Sequence, residues 1–263
     1  MYAAAPDLTR DFLDSHKEPG SAARRRRRSA LESPVMCGRY TLVNLAQLTD
    51  LFPWITDLPT PLAPRYNIAP SQPILAVAND KPDRYDHFLW GLIPSWAKEA
   101  SIGNKLINAR GETVAEKPSF RSALKRRRCL VIVDGWFEWK QSTKPKTPYL
   151  FRRKDGRPMA FAGLWEEWTA PDTGEVLRTC AVITTGPNRL MAPIHDRMPV
   201  ILRPEAQAVW LRPEPQDAAE LQPLLVPNED EPLVAWEVGR VVNSPTNDVV
   251  ACVERVASQP ALL

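Results

Sequence analysis

The chain has 263 residues and a mass of 29.6 kDa, long enough to bury one core of the larger single-domain kind. Hydrophobic residues make up 44% and charged residues 25%, ordinary globular usage that excludes a wholly disordered, collagenous or fibrous chain. No run approaches the ~18 consecutive apolar residues of a membrane-spanning helix, and the formal charge of +3 falls to 27 bases against 26 acids beyond residue 35, so the body is not globally basic.

Residues 1–35 combine small residues, Pro and Ser with five consecutive arginines, Arg24 to Arg28, and show no apolar periodicity after Leu13. That composition predicts a disordered leader. Two readings fit the arginines: a nucleic-acid-binding tail, or the translation of sequence upstream of a true start at Met36. From Tyr40 onward, short runs rich in β-branched and aromatic residues predict strands at Tyr40–Val43, Ile74–Val77, Cys129–Val133, Thr179–Ile183 and Pro199–Leu202. Helical spacing predicts helices at Leu45–Phe52, Thr113–Lys125, Asn188–Ile194, Pro204–Trp210 and Pro215–Leu225, several with Pro near the start. With 27 Pro and 11 Gly, short elements joined by rigid turns are favoured over long helices. Strict βαβ alternation is lacking, so the expected class is α+β: a single domain over 36–255, with mixed or antiparallel sheets, short helices and a flexible tail over 256–263.

Charge is locally uneven. Arg121 to Arg128 carries five bases and no acid, whereas residues 213–239 carry seven acids and no base. A polyanion-binding face and a merely solvated helix face both fit the first segment.

Four cysteines lie far apart, with no Cys-x-x-Cys pair and only three histidines, which predicts no zinc site. Without a secretory signal peptide they are expected to be free thiols in a reducing cytosol. Cys129, Cys180 and Cys252 sit in apolar runs as small core residues, whereas Cys37 lies between Met36 and Gly38-Arg39. Glu138 stands between two tryptophans in Asp134-Gly-Trp-Phe-Glu-Trp139. It is either an outward residue of an alternating strand or a carboxylate that apolar surroundings make useful in proton transfer. His195, in Pro193-Ile-His-Asp-Arg-Met-Pro199, is a loop histidine beside charged residues at a strand start, a candidate acid or base. Asn108, in Leu106-Ile-Asn-Ala-Arg-Gly-Glu112, fits a turn or helix cap as well as a site residue. No glycine-rich phosphate loop or Gly-x-Ser-x-Gly elbow is present. Nine tryptophans and several loop arginines suit stacking on unpaired bases and holding phosphates, although Trp is equally an ordinary core residue.

Taken as an ordered set, Met36-Cys-Gly-Arg-Tyr40, Arg65-Tyr-Asn-Ile-Ala-Pro70, Trp90-Gly-Leu-Ile-Pro-Ser-Trp96, Asn108-Ala-Arg-Gly-Glu-Thr113, the Asp134–Trp139 motif and Ile194-His-Asp-Arg-Met-Pro199 resemble the SOS response-associated peptidase (SRAP) family. The closing Val238-Gly-Arg-Val-Val-Asn243 with Asn247-Asp248 resembles that family's end. The resemblance implies a protein of the DNA damage response that captures abasic sites in single-stranded DNA. Cys37, made N-terminal by Met removal or autoproteolysis, would form a thiazolidine cross-link that shields the lesion. It implies catalytic roles for Cys37, Asn108, Glu138 and His195. It implies DNA contacts by Arg39, Asn67, Pro70, Trp96, Arg110, Trp139 and Arg197. It implies no metal or organic cofactor, a monomer, no membrane, and a cytoplasmic protein that is nucleoid-associated when bound to DNA. The family name adds an autopeptidase activity, with lyase-like chemistry at the lesion. Some relatives have two adjacent tryptophans where this chain has Trp96-Ala97. Two other readings use the same residues. A conventional cysteine peptidase would pair Cys37 with His195, and a non-covalent single-strand-binding module would use only the Trp and Arg side chains.

Overall fold

Strands dominate because most of the apolar runs are too short and too β-branched to propagate as helices. The computed structural model describes residues 38–55, 57–60 and 62–256. The expected leader, Cys37 and all but the first residue of the expected tail lie outside the described residues. Five strands form one sheet: β1 (Tyr40–Leu42), β2 (Arg65–Ile68), β7 (Gly135–Lys140), β8 (Thr147–Arg153) and β12 (Leu233–Glu237), in the order β12-β8-β7-β1-β2. The second sheet contains β3 (Pro73–Ala78), β4 (Lys81–Trp90), β5 (Asn108–Arg110), β6 (Arg128–Val133), β9 (Met159–Thr169), β10 (Val176–Thr185) and β11 (Met198–Pro199). Its order is β11-β10-β4-β3-β6-β9, and β9 pairs back onto β10, so that β10, β4, β3, β6 and β9 close into a small barrel. Most pairings are antiparallel, while β10 runs parallel to β4 and β5. This is the expected α+β class with mixed sheets.

The two sheets share a core through aromatic rings. Tyr40 of β1 stacks on Trp90 of β4 at 4.2 Å, and Trp136 of β7 meets Phe161 of β9 edge-on at 5.6 Å. All four rings are fully buried, and such contacts add about 1 kcal/mol each beyond area burial. The chain passes from barrel to five-stranded sheet between β6 and β7, at Asp134-Gly135. A Cβ on Gly135 would lie 2.8 Å from the Thr41 hydroxyl and 2.9 Å from the Phe151 carbonyl, so only glycine fits the crossing. Beside it the fully buried Asp134 carboxylate accepts from the Thr41 hydroxyl (2.6 Å) and from the Val43 and Asn44 N–H groups (2.6 and 2.7 Å). The exit of β1 is thereby fixed to the junction.

The helices are short: α1 (Leu48–Leu51), α2 (Arg121–Arg126), α3 (Pro204–Trp210) and α4 (Ala218–Leu221). Two expected helices differ. Residues 113–125 begin as turns and become helical only at Arg121, because Pro118 removes an N–H and restricts Lys117. Residues 188–194 are turns, closed by Ala192 N–H to the Asn188 carbonyl (2.9 Å) and ended by Pro193. The expected strand Pro199–Leu202 reduces to β11 plus an isolated bridge between Phe161 and Ile201.

The basic segment Arg121 to Arg128 is partly absorbed by the fold, while Arg121, Lys125 and Arg126 stay exposed. Arg128 is fully buried, and its guanidinium donates to the carbonyls of Leu124, Lys125, Trp210, Arg212 and Glu214. Burial pulls its pKa down to about 10, which still leaves it charged at neutral pH. Arg127 binds the buried Glu166 carboxylate at 2.7 Å, and Lys125 lies 3.7 Å from Asp217.

Candidate active site

Glu138 and His195 come together where the loop after β10 meets the five-stranded sheet. Glu138 is the fourth residue of β7 and is 1% exposed; His195 is 3% exposed. Glu138 Oε2 lies 3.9 Å from His195 Nε2, a charge contact longer than a direct hydrogen bond. The Arg197 N–H donates to His195 Nδ1 at 3.1 Å, so the neutral ring carries its proton on Nε2, facing Glu138. A protonated ring has a second acceptor in Asp196 Oδ1, 3.2 Å from Nδ1. Burial lowers the His195 pKa; Asp196 and the backbone hydrogen bond from Arg197 oppose this, while the charges of Lys146 and Arg197 reinforce it. The histidine loop is rigid: the His195 N–H bonds the Met191 carbonyl (3.0 Å), and Asn188 Oδ1 accepts from the Met191 N–H (2.9 Å).

Strand register brings further groups to this level. Tyr40 pairs with Trp136, and the Phe137 N–H donates to the Arg39 carbonyl at 2.9 Å. Continued antiparallel by one more residue, this register sets Gly38 beside Glu138. On the other side of β7, Glu138 pairs with Tyr149 of β8, and Tyr149 in turn pairs with Glu237 of β12. Directly paired residues share a face. Tyr149 is therefore a neighbour of Glu138 that the sequence reading did not single out; its phenol pKa is raised by burial and by Glu237.

Arg39, Asn67 and Trp139 form a second group, bound to the closing segment. Arg39 Nη1 donates to Asn67 Oδ1 (2.9 Å) and the Val242 carbonyl (2.6 Å), its Nη2 reaches the Asn243 carbonyl (3.3 Å), and its guanidinium lies 5.7 Å from the Trp139 ring centre. Asn67 Nδ2 donates to the carbonyls of Val242, Ser244 and Asn247, and Trp139 Nε1 donates to Asn243 Oδ1 at 2.8 Å. Asp248, not a candidate from sequence, accepts from the Tyr66 and Asn67 N–H groups and pairs with Arg65. Arg39 and fully buried Asn67 thus brace residues 242–248 against β2 and β7.

Asn108, Arg110 and Arg197 gather along β10. Asn108 pairs with Val182 and exposed Arg110 with Thr184. Arg197 makes a two-pronged ion pair with Glu112 (2.6 and 2.9 Å) and also donates to the Thr184 carbonyl (2.7 Å). Hydrogen bonding from Arg197 lowers the Glu112 pKa. Pro70 follows β2, ahead of Ser71, a non-glycine residue at φ 66° whose N–H bonds the Trp90 carbonyl (2.8 Å). Trp96 is 61% exposed at the edge of an open 300 Å³ concavity also lined by Lys98, Ile102 and Lys105. Its loop is pinned behind it. Gly91 and Gly103 approach so closely that a Cβ on either would come within 2.8 Å of the other's carbonyl oxygen, and Trp168 Nε1 donates to the Ala97 carbonyl (2.7 Å).

The model of the family described as SOS response associated peptidase (SRAP) matches residues 36–245. "Abasic site processing protein YoqW" of Bacillus subtilis is 45% identical over 223 residues, covering 83% of this chain and 99% of the relative. "Abasic site processing protein YedK" of Escherichia coli is 33% identical over 188 residues, covering 68% of this chain and 81% of the relative. A crystal structure of a protein from Bacteroides thetaiotaomicron superposes with a TM-score of 0.74 at 28% identity, covering 84% of this chain and all of that one.

Proposed function

The chain belongs to the SRAP family, and on that premise we propose that it processes abasic sites in DNA, capturing the lesion covalently through Cys37. The observation that carries the reading is the buried Glu138–His195 pair at 3.9 Å, beside the strand end that leads directly to residue 37. Gly38 is bonded to Cys37, so the covalent chain ties the nucleophile to the strand end next to Glu138.

The chemistry requires a free α-amine on Cys37, produced by removal of Met36 from a chain started there or by cleavage of the 36–37 bond. An abasic deoxyribose in its ring-open form presents an aldehyde at C1′. The neutral amine adds to that carbon, the resulting hydroxyl leaves as water, and the Cys37 thiol adds across the imine to close a five-membered thiazolidine. The net change is one molecule of water lost. Only an N-terminal cysteine supplies both heteroatoms, and an α-amine of pKa near ~8 keeps a reactive fraction at neutral pH.

Glu138 takes the ammonium proton and returns a proton to the departing hydroxyl. His195 donates its Nε2–H to the sugar oxygen as the furanose opens. Asn108 orients the opened sugar from the β10 edge. Arg110 and Arg197 hold phosphates, while Trp96 and Trp139 stack on bases flanking the lesion, Pro70 shaping the wall. Single-stranded DNA is the substrate, because a nucleotide must leave its stack to reach buried carboxylate and imidazole groups.

Intact-mass spectrometry of the full chain tests this, before and after incubation with a single-stranded oligonucleotide containing one abasic site. The expected product begins at Cys37 and gains the oligonucleotide mass less one water, and Cys37→Ala abolishes it. A protein beginning at Cys37 that forms no adduct overturns the reading. Turnover of an added peptide by that protein would instead favour the cysteine peptidase reading.

A further inference from the structure

The turn between β7 and β8, Lys140-Gln-Ser-Thr-Lys-Pro-Lys146, carries three bases and no acid. Side chains two apart on a strand share a face, ~7 Å apart, so Lys140 projects from the face of β7 that carries Glu138. The turn also touches the histidine loop: the Gln141 N–H points to the Ile194 carbonyl at 3.4 Å. Lys146 is close enough for its charge to act on His195.

The turn is built rather than loose. The Thr143 hydroxyl donates to the Lys140 carbonyl (3.1 Å) and accepts from the Thr147 N–H (2.9 Å), closing the loop on itself. Lys144 and Lys146 are exposed and Lys140 half-buried. Among the described residues none of the three forms an ion pair. A pre-shaped turn with uncompensated positive charge beside a buried carboxylate and imidazole matches a polyanion that must approach that pair.

We propose that Lys140, Lys144 and Lys146 hold the phosphodiester backbone of the DNA strand next to the lesion, a contact surface additional to Arg110 and Arg197. This assignment rests on the functional reading above. Each lysine that neutralises a phosphate of single-stranded DNA displaces a counterion, so the affinity it contributes fades as salt rises.

The test measures equilibrium binding of the full chain to a single-stranded oligonucleotide carrying a tetrahydrofuran abasic analogue, which has no aldehyde, across a range of salt concentrations. Lys140→Gln/Lys144→Gln/Lys146→Gln is expected to lower the slope of log affinity against log salt by about 2, or ~0.7 per lost contact, and to weaken binding on the order of 100-fold near 0.1 M salt. Lys144→Gln alone, at an exposed turn position, is expected to lower the slope by ~0.7. Arg121→Gln/Arg126→Gln, which removes the two exposed arginines of α2, is expected to leave the slope unchanged. Equal slopes for wild type and the triple variant, or an equal loss in the α2 variant, overturn the lysine assignment alone. A wild type that binds no DNA overturns the functional reading beneath it.

Discussion

Two basic segments of nearly equal length behave differently in this fold. Arg121 to Arg128 is the denser in charge, yet its strongest donors point inward: Arg128 binds five backbone carbonyls, Arg127 binds Glu166, and Lys125 lies near Asp217. Lys140 to Lys146 is sparser, but its three lysines form no ion pair among the described residues, its backbone meets the histidine loop at Ile194, and the charge of Lys146 acts on His195. The planar guanidinium is the group that a ring of carbonyls can enclose; a lysine turn cannot be absorbed that way. Counting charges along the sequence therefore does not tell which of them the fold consumes and which it leaves without an ion-pair partner.

Arg128→Met breaks the comparison with the largest effect. It leaves several buried carbonyls without their donor, and each such acceptor costs about 1–3 kcal/mol. A loss of at least about 3 kcal/mol is expected, lowering the thermal midpoint by roughly 6–12 °C at 2–4 °C per kcal/mol for a domain of this size. Arg128→Lys should recover little, since one ammonium cannot reach acceptors spread around a fork. A midpoint within 2 °C of wild type for Arg128→Met would return Arg128 to the surface-charge class.

Arg127→Gln comes next. It strands Glu166, which is 4% exposed, and removing one partner of a largely buried pair costs about 2 kcal/mol here, discounted because Arg127 is partly exposed. Burial raises the Glu166 pKa, and Arg127 holds it down. A carboxylate whose folded pKa is raised binds its proton more tightly in the folded state, so its unfavourable contribution is absent below the unfolded pKa and grows as pH rises through the folded value. The defect of Arg127→Gln should therefore be smaller at pH 4.5 than at pH 7 in denaturant titrations. An equal defect at both values would mean that Glu166 is not the group left uncompensated.

The same contrast marks what the sequence made legible. Strands buried on both faces were readable as apolar runs, and β6 and β10 lie where Cys129–Val133 and Thr179–Ile183 predicted them. The helix at Pro204–Trp210 was readable because Pro begins it and apolar spacing follows. Strand β4 was not, since its first half is charged and exposed, with Lys81, Asp83 and Arg84 in the hairpin. Glu138 was ambiguous because its local alternation fits a solvated strand equally well. What decides its environment is His195 in a distant loop and the pairing partner Tyr149. Arg39 was undecidable for the same reason, since two of its three acceptors, the Val242 and Asn243 carbonyls, lie over 200 residues away. Local pattern reports burial, whereas the occupant of a polar side chain is set by contacts between remote segments.

The smallest expected effect sharpens the comparison at the site itself. Four groups face or adjoin the His195 ring: Glu138 across the 3.9 Å gap, Asp196 and Arg197 on its own loop, and Lys146 from the turn. Burial is the leading cause of its lowered pKa. A histidine with a depressed folded pKa is protonated more readily in the unfolded chain, so it opposes folding increasingly as pH falls below its ordinary value near ~6.5. In a proton NMR titration of the imidazole, the midpoint is expected below that value. Lys146→Gln should move it upward and Asp196→Asn downward, because one removes a repelling charge and the other an attracting one. Arg121→Gln should leave it in place. If Lys146→Gln does not move the midpoint, the turn does not share the field of the buried pair, and its lysines lose their nearest link to the chemistry. If it moves and Arg121→Gln does not, the charge of Lys146 acts on the site itself, which Arg121 of the denser segment does not reach.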